Sequence, residues 1–476
     1  MKTIHLRELD SISPSTLAEG LNIDLSESQK IIVYLLKLGI VKVSLLKRSE
    51  DGTYCELLDP DIPYYEEYVI NYVGVVSARS VIIYCYPKFF STHPSNEGYR
   101  LILASIKKYA THKPQMILSN YHRSADYDEL STIIMLIEDY LDCGIYSKAV
   151  DTTSYDGDSI DWNSTIENTK SFIIEHTPFY LEPIYHYNTN DTHSLISRIH
   201  GSIICDCIDT LRRSGLYELL DFNISRPDTQ YIDLNDHVRL ISIINNEKRS
   251  TFNNHSSIIL ELMESYIIKK QSNSTGSRLY FYGTNNYNLV WEDACRHLSI
   301  DCRYESIDSL NLDIEDFPDG KKCIMDLLDK PTWDVYSNEG YRTIITNNAQ
   351  VPDIIHVISD NSPKIIAVMD AKYYSIQIRG NAILNSPGIH DIIKQQIYHL
   401  NIASIFKDHN LKIVNVFLFP SEEVHTAYLG FTRLPLLYNI DKESKIIVLH
   451  LPWKDVISGY LYNKKLDIYD IIKQLI

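Results

Sequence analysis

No stretch of this 476-residue sequence approaches the run of about 20 apolar residues that a bilayer-crossing helix needs. The opening "MKTIHLRELDSISPSTL" contains acids and lacks the apolar centre of a secretory signal. Eight cysteines are scattered without the dense spacing of a disulfide framework, so a reducing cytoplasm is the expected setting and no membrane is expected as a partner. The phosphate-cradling pattern GxxxxGK[ST] is missing, and neither "GTNNYN" nor "STGSR" carries the lysine such a loop requires. Any nucleotide-driven movement therefore has to be supplied by another protein. A net charge of −17 argues against adhesion of the whole surface to nucleic acid. Fixed-period repeats and low-complexity tracts are also missing.

What is present is ordinary globular material, 44% hydrophobic and 22% charged, in a chain long enough for about two to four domains. The acid excess is concentrated in residues 51–67 and 301–329. Residues 361–412 reverse it, with six Lys and Arg against three Asp.

Periodicity divides the chain into four expected parts. Residues 1–50 read as two helices followed by a strand of Val41, Val43 and Leu45, with Gly39 ending the second helix. This winged-helix-like order suits either a DNA-binding unit or a protein-interaction module. Residues 51–95 are β-rich, with a hairpin turning at "SARS" and a bulge at Gly74. Residues 96–270 read as mostly helical, with "DTTSYDGDSIDWNSTIE" as a loop and "KKQSNSTGSR" (269–278) as a linker. Residues 277–476 run helix, strand, strand, helix, strand, which predicts an α/β mixed sheet flanked by helices.

That last part carries the chemistry. Asp353 opens the strand "PDIIHVIS", and Asp370 closes the apolar run of "KIIAVMDAKYY". Residues i and i+2 of a strand share a face, so Lys372 stands beside Asp370. If the two strands are neighbours, both carboxylates converge on one hard cation, for which carboxylate oxygens plus water are a suitable shell. The lysine can orient the attacking water and offset charge on phosphorus. Glu292, in "LVWEDAC", adds a helical acid, and "KQQIY" offers Lys394, Gln395, Gln396 and Tyr398 to a phosphate or the water.

These residues resemble the PD-(D/E)XK nuclease superfamily: Pro352-Asp353 for PD, Asp370-Ala371-Lys372 for (D/E)XK, Glu292 for the helical acid, and Gln395 or Gln396 for the trailing helix. A closer resemblance covers most of the chain. "YVGVVSARSVIIYCYPKFF", "IDWNSTIE", "LVWEDAC", "VPDIIHV", "MDAKYY" and "GIHDIIKQQIYHL" together are similar to the LlaJI-type restriction endonucleases, relatives of McrC. The resemblance implies a PD-(D/E)XK nuclease-like C-terminal domain using Mg²⁺, or Mn²⁺ in its place, held by Asp353, Asp370 and Glu292. It implies double-stranded DNA as substrate, a separate McrB-like AAA+ GTPase or ATPase docked on residues 55–270, and a DNA methyltransferase in the same restriction-modification system. Cutting both strands implies self-association. One departure stands out: Gln395 and Tyr398 are three residues apart where related nucleases often have four, which leaves the choice between Gln395 and Gln396 open.

Other readings compete. Asp353 and Asp370 could cap strand ends, and Lys394, Gln395 and Gln396 read as a helix face in partial contact with water, with one of them in the site. His200, Cys205 and Cys207 lack a second ligand pair for zinc and read as core groups on a helix. His390 and His399 read as surface or satisfied histidines, and the 35 tyrosines as packing. The chain as a whole could instead be a non-catalytic adaptor that stimulates a AAA+ motor, or a winged-helix DNA-binding regulator.

Overall fold

The computed structural model describes residues 2–44, 46–48, 54–56, 67–78, 81–112, 129–154, 159–174, 176–191, 193–218, 220, 224–272, 279–312, 314, 320–337, 340–346, 351–360, 362–464 and 468–475. The chain divides into two compact units, each discontinuous in sequence. One comprises Val76–Ile82 and Tyr121–Tyr282; the other comprises Lys2–Val75, Ile83–Asn120 and Gly283–Ile476.

The second unit is built on a five-stranded mixed sheet. Its spatial order is Ile354–Ile358, Lys364–Ala371, Leu411–Ser421, Ile446–Pro452, Ala427–Thr432. The first and last strands are antiparallel to their neighbours, and the three central strands are parallel to one another. Parallel central strands are covered on both faces, which is why "KIIAVMDA" and "LKIVNVFLFPS" read as continuous apolar runs instead of alternating ones. One face carries Ile355, Ile366 and Val368 against Tyr398 and Ile402 of helix Ile389–Ile405 and Phe406 just beyond it. Phe417, Phe419, Ile446 and Val448 form a separate cluster with Ile376.

At the start of this unit, Ser13 caps helix Pro14–Leu21 through the Thr16 N–H, and helix Leu25–Lys37 follows. Gly39 ends that segment at φ +68, a left-handed conformation that favours glycine. A three-stranded sheet of Ser11–Ile12, Glu67–Ile70 and Val41–Ser44 completes the segment. Strands Val73–Ala78 and Val81–Tyr86 are neighbours on either side of "SARS", whose last two residues lie outside the described set. A side chain at Gly283 would collide with the Val73 carbonyl and the Gly74 Cα, so this close backbone approach requires glycine.

The first unit holds helices Glu129–Cys143, Leu195–Arg213, His237–Ser250 and Asn254–Ser272. Two expectations are corrected here. In its described residues the "DTTSYDGDSIDWNSTIE" stretch is not a loop: Lys148–Ser154 pairs antiparallel with Tyr185–Asp191, Ser159–Ile160 adds to the same sheet, and Trp162–Asn168 is a helix capped by Asp161. Its polar composition lacks the apolar alternation that marks a half-buried strand, yet the backbone pairs as a ladder. The supposed linker at 269–278 begins inside a helix that runs to Ser272, and its remaining residues 273–278 lie outside the described set.

Two further hairpins, Thr332–Ser337 with Gly340–Ile345 and Gln377–Arg379 with Ala382–Leu384, add to the expected order of helix, strand, strand, helix, strand. Among the described residues no helix is long and apolar enough to cross a membrane.

Candidate active site

The site is assembled by strand register. Ile354 pairs with Met369 and Ile355 with Val368 in the antiparallel pair. Continuing that register by one residue sets Asp353 opposite Asp370, where cross-strand side chains are close neighbours on one face. That face is the one carrying Ile355 and Val368, so both carboxylates lie towards helix Ile389–Ile405. The Ala371 N–H donates to Asp353 Oδ2 at 3.1 Å, which ties one acid to the backbone beside the other.

The entry of this strand is held at three consecutive carbonyls. Tyr398 Oη donates to the Val351 oxygen at 2.8 Å, Arg303 Nη1 to Pro352 at 2.7 Å, and Arg296 Nε to Asp353 at 3.3 Å. Arg303 is buried, and its Nε also donates to Asp301 Oδ2 at 2.8 Å. Two guanidiniums and a phenol therefore fix the backbone from which the Asp353 side chain projects. Tyr398 is fully buried in this role, which corrects the expectation that it meets a phosphate or the water.

Lys372 Nζ lies 2.7 Å from Asp370 Oδ2 and donates to Asp391 Oδ1 at 2.8 Å. Burial alone would lower the Lys372 pKa, but Asp370 and Asp391 outweigh it and hold it above its ordinary value. The lysine is thus a fixed ammonium at neutral pH. Asp391, in the first turn of helix Ile389–Ile405, is a residue sequence reasoning missed. Nothing in its spacing from Lys372 announces a contact that only helix packing creates. The neighbouring Tyr373 is also anchored, its hydroxyl donating to Glu8 Oε2 at 2.7 Å.

The carboxylates crowd one another. Asp353 is pushed up to about 7, first by burial, then by the charges of Asp370 and Glu292, against the relief given by the Ala371 N–H and Lys394. Asp370 is buried, and its Oδ2 receives no aligned hydrogen bond, only the nearby ammonium. An all-oxygen donor set whose members repel each other, with a single ammonium beside one of them, fits a hard divalent cation. Glu292 acts on Asp353 electrostatically, while its own Oε1 accepts from Arg296 Nη2 one helical turn later.

The trailing helix separates its two glutamines. Both are buried, which corrects the expectation of a helix face in partial contact with water. Gln395 Nε2 donates to the Val368 carbonyl at 2.8 Å, two residues before Asp370, and its Oε1 is buried without a donor. Gln396 turns elsewhere: Nε2 donates to Ser444 Oγ at 3.1 Å, and Oε1 accepts the Leu434 N–H at 2.9 Å. Lys394 lies over the Tyr398 ring at 5.5 Å. His399 is buried and bonded to Asp441 at 2.9 Å, and His390 is exposed.

Gln396→Met tests this division. It leaves the Leu434 N–H unpaired and should cost about 1–3 kcal/mol of stability. Thermal unfolding should show a lower Tm. An unchanged Tm would mean that the Gln396 bonds contribute nothing.

Strand-paired acids beside a fixed lysine, on a mixed sheet with helices packed on it, define an α/β protein with a candidate phosphodiester-cleaving centre. Residues 72–449 match the model of the LlaJI restriction endonuclease family, and the chain belongs to that family. It is also similar to the type II restriction enzyme BsuMI component YdjA of Bacillus subtilis (strain 168). The two are 23% identical over 418 residues, covering 85% of this chain and 83% of that protein. No solved structure matches the chain.

Proposed function

We propose that this chain is the DNA-cleaving subunit of a restriction-modification system, a PD-(D/E)XK-type nuclease that hydrolyses double-stranded DNA with Mg²⁺. The observation that carries the proposal is the register that sets Asp353 opposite Asp370 with Lys372 beside them. Asp353 and Asp370 would hold the cation, Mn²⁺ serving in its place, with Glu292 contributing directly or through water. When bound, the ion would supply Lewis-acid polarisation of the scissile phosphate and a water of lowered pKa.

The chain's own residues do the rest. Lys372, held between Asp370 and Asp391, presents a fixed ammonium to the attacking water and to charge growing on the phosphoryl oxygens. Gln395 braces the strand at Val368 and keeps one amide oxygen free for a water or phosphate-bound hydroxyl. Arg296, Arg303 and Tyr398 position Asp353 through its backbone.

Membership of the family and the likeness to a component of a restriction enzyme support a division of labour with other subunits. Without a phosphate-cradling motif in the sequence, the motor would be a separate McrB-like AAA+ GTPase or ATPase, alongside a DNA methyltransferase. Two copies meeting on DNA would cut both strands.

Calorimetric titration with Mg²⁺ tests the centre without requiring the other subunits. The native chain should bind the ion, and Asp370→Asn should bind it at least tenfold more weakly. Equal affinity in the two proteins would remove Asp370 from the site.

A further inference from the structure

Away from this centre, three side chains on two helices of the other unit converge. Asp139 and Cys143 are four residues apart on helix Glu129–Cys143 and so share a face. His255 is the second residue of helix Asn254–Ser272, which packs on the first. The pairing is antiparallel: at the opposite end, Lys269 Nζ donates to Thr132 Oγ1 at 3.3 Å. One ligand atom from each of Asp139, Cys143 and His255 lies within 4.8 Å of the others.

The arrangement around the imidazole separates two chemistries. A nucleophile–histidine–carboxylate relay uses both ring nitrogens, one facing the nucleophile and the other the acid. Here a single nitrogen serves both contacts: His255 Nε2 lies 2.5 Å from Asp139 Oδ1 and 3.8 Å from Cys143 Sγ. Convergence of a thiol, a carboxylate and one imidazole nitrogen on a common point is the geometry of a metal site.

Tetrahedral zinc, with Zn–S about 2.3 Å and Zn–N about 2.0 Å, places sulfur and nitrogen roughly 3.5 Å apart. The observed 3.8 Å is close to that value. The short Nε2–Oδ1 distance is that of a hydrogen bond, and it would open to roughly 3.3 Å when a cation replaces the shared proton. The donor set also selects the ion, since thiolate and imidazole suit zinc and hard magnesium prefers oxygen.

We infer that Asp139, Cys143 and His255 form a zinc site with a fourth position open to water, independent of the nuclease centre. Cys143 and His255 are exposed, so the ion has direct access. Binding releases the Cys143 thiol proton, and any proton on His255, to solvent, so affinity falls with acidification. The ion ties the last residue of one helix to the first turn of its neighbour.

Sequence reading misses this site. The histidine is more than a hundred positions from the cysteine, and the paired motif that marks a zinc module is missing.

Cobalt is a spectroscopic probe for the test. The reduced whole chain, titrated with Co²⁺ in excess Mg²⁺, should develop a thiolate-to-cobalt charge-transfer band and tetrahedral visible bands, both removed by Zn²⁺. Cys143→Ser should abolish the charge-transfer band, and His255→Ala should weaken Co²⁺ binding at least tenfold. Zn²⁺ should raise the Tm of the native chain and leave that of Cys143→Ser unchanged. A missing band, or one that survives Cys143→Ser, overturns the assignment. Asp370→Asn should leave the band intact, so failure of the nuclease reading and failure of this one give different results.

Discussion

Replacing Lys372 by alanine is expected to slow DNA cleavage about 10²–10³-fold, the usual effect of removing one charge-stabilising donor from a preorganised site. The expectation rests on where the ammonium sits. Asp370 and Asp391 hold it from two sides, and their charges outweigh the burial that would otherwise discharge it. Alanine also leaves Asp370 buried beside no cation, and breaking a buried pair costs about 3–5 kcal/mol. Folding must therefore be followed alongside activity.

Lys372→Arg separates the two effects. It retains the charge but changes its shape, so Tm should recover more than cleavage does. Stimulation of a partner NTPase should persist in both variants if the chain docks on a motor through other residues. Undiminished cleavage by a folded Lys372→Ala protein would sink the site assignment. If the native chain stimulates the motor without ever cutting DNA, the adaptor alternative holds.

The second large effect concerns stability, and its sign is opposite to that on activity. Folded Asp353 titrates near 7, above the ordinary 3.8 of its side chain, because it is buried and faces Asp370 and Glu292. The folded chain therefore holds this proton more tightly than the unfolded chain. The stabilisation is complete below the unfolded value and is lost as pH rises through about 7. Above that range the ionised carboxylate opposes folding by an amount on the order of 4 kcal/mol.

Asp353→Asn mimics the protonated form. Measured without divalent ions, its Tm should exceed that of the native chain at pH 8 and converge with it at pH 4. Saturating Mg²⁺ should raise the Tm of the native chain at pH 8 and not that of the variant. Equal Tm differences at pH 4 and pH 8 would show that Asp353 carries no such penalty. A gain in stability together with a loss of Mg²⁺ affinity is expected wherever like charges are held together for use.

Particular residues show how far the sequence could be read. The run "KIIAVMDA" marks a buried strand because covered strands need apolar residues on both faces, and the i, i+2 rule places Lys372 next to Asp370. The glutamines defeat the same kind of reading. Gln395 and Gln396 are both buried, yet one braces the strand of Asp370 and the other joins Leu434 to Ser444. The repeated "SNEGYR" goes further: at 95–100 it leads into helix Asn96–His112, and at 337–342 it ends one strand of a hairpin and begins the other. Six residues lack the local preference to choose, so their surroundings decide.

The sequence by itself determined the residue types, the strands that bear the two acids and the lysine, and the resemblance to a restriction endonuclease family. Apolar patterning and short-range spacing are local properties, and a linear chain displays them directly. Only the tertiary structure decided that Asp353 faces Asp370, that Asp391 holds Lys372, that Arg296 and Arg303 grip the strand entry, and that His255 reaches Cys143. Each of these depends on register or helix packing between segments distant in the chain. Such contacts are selected by the shape of the filled core and leave no periodic mark on either partner.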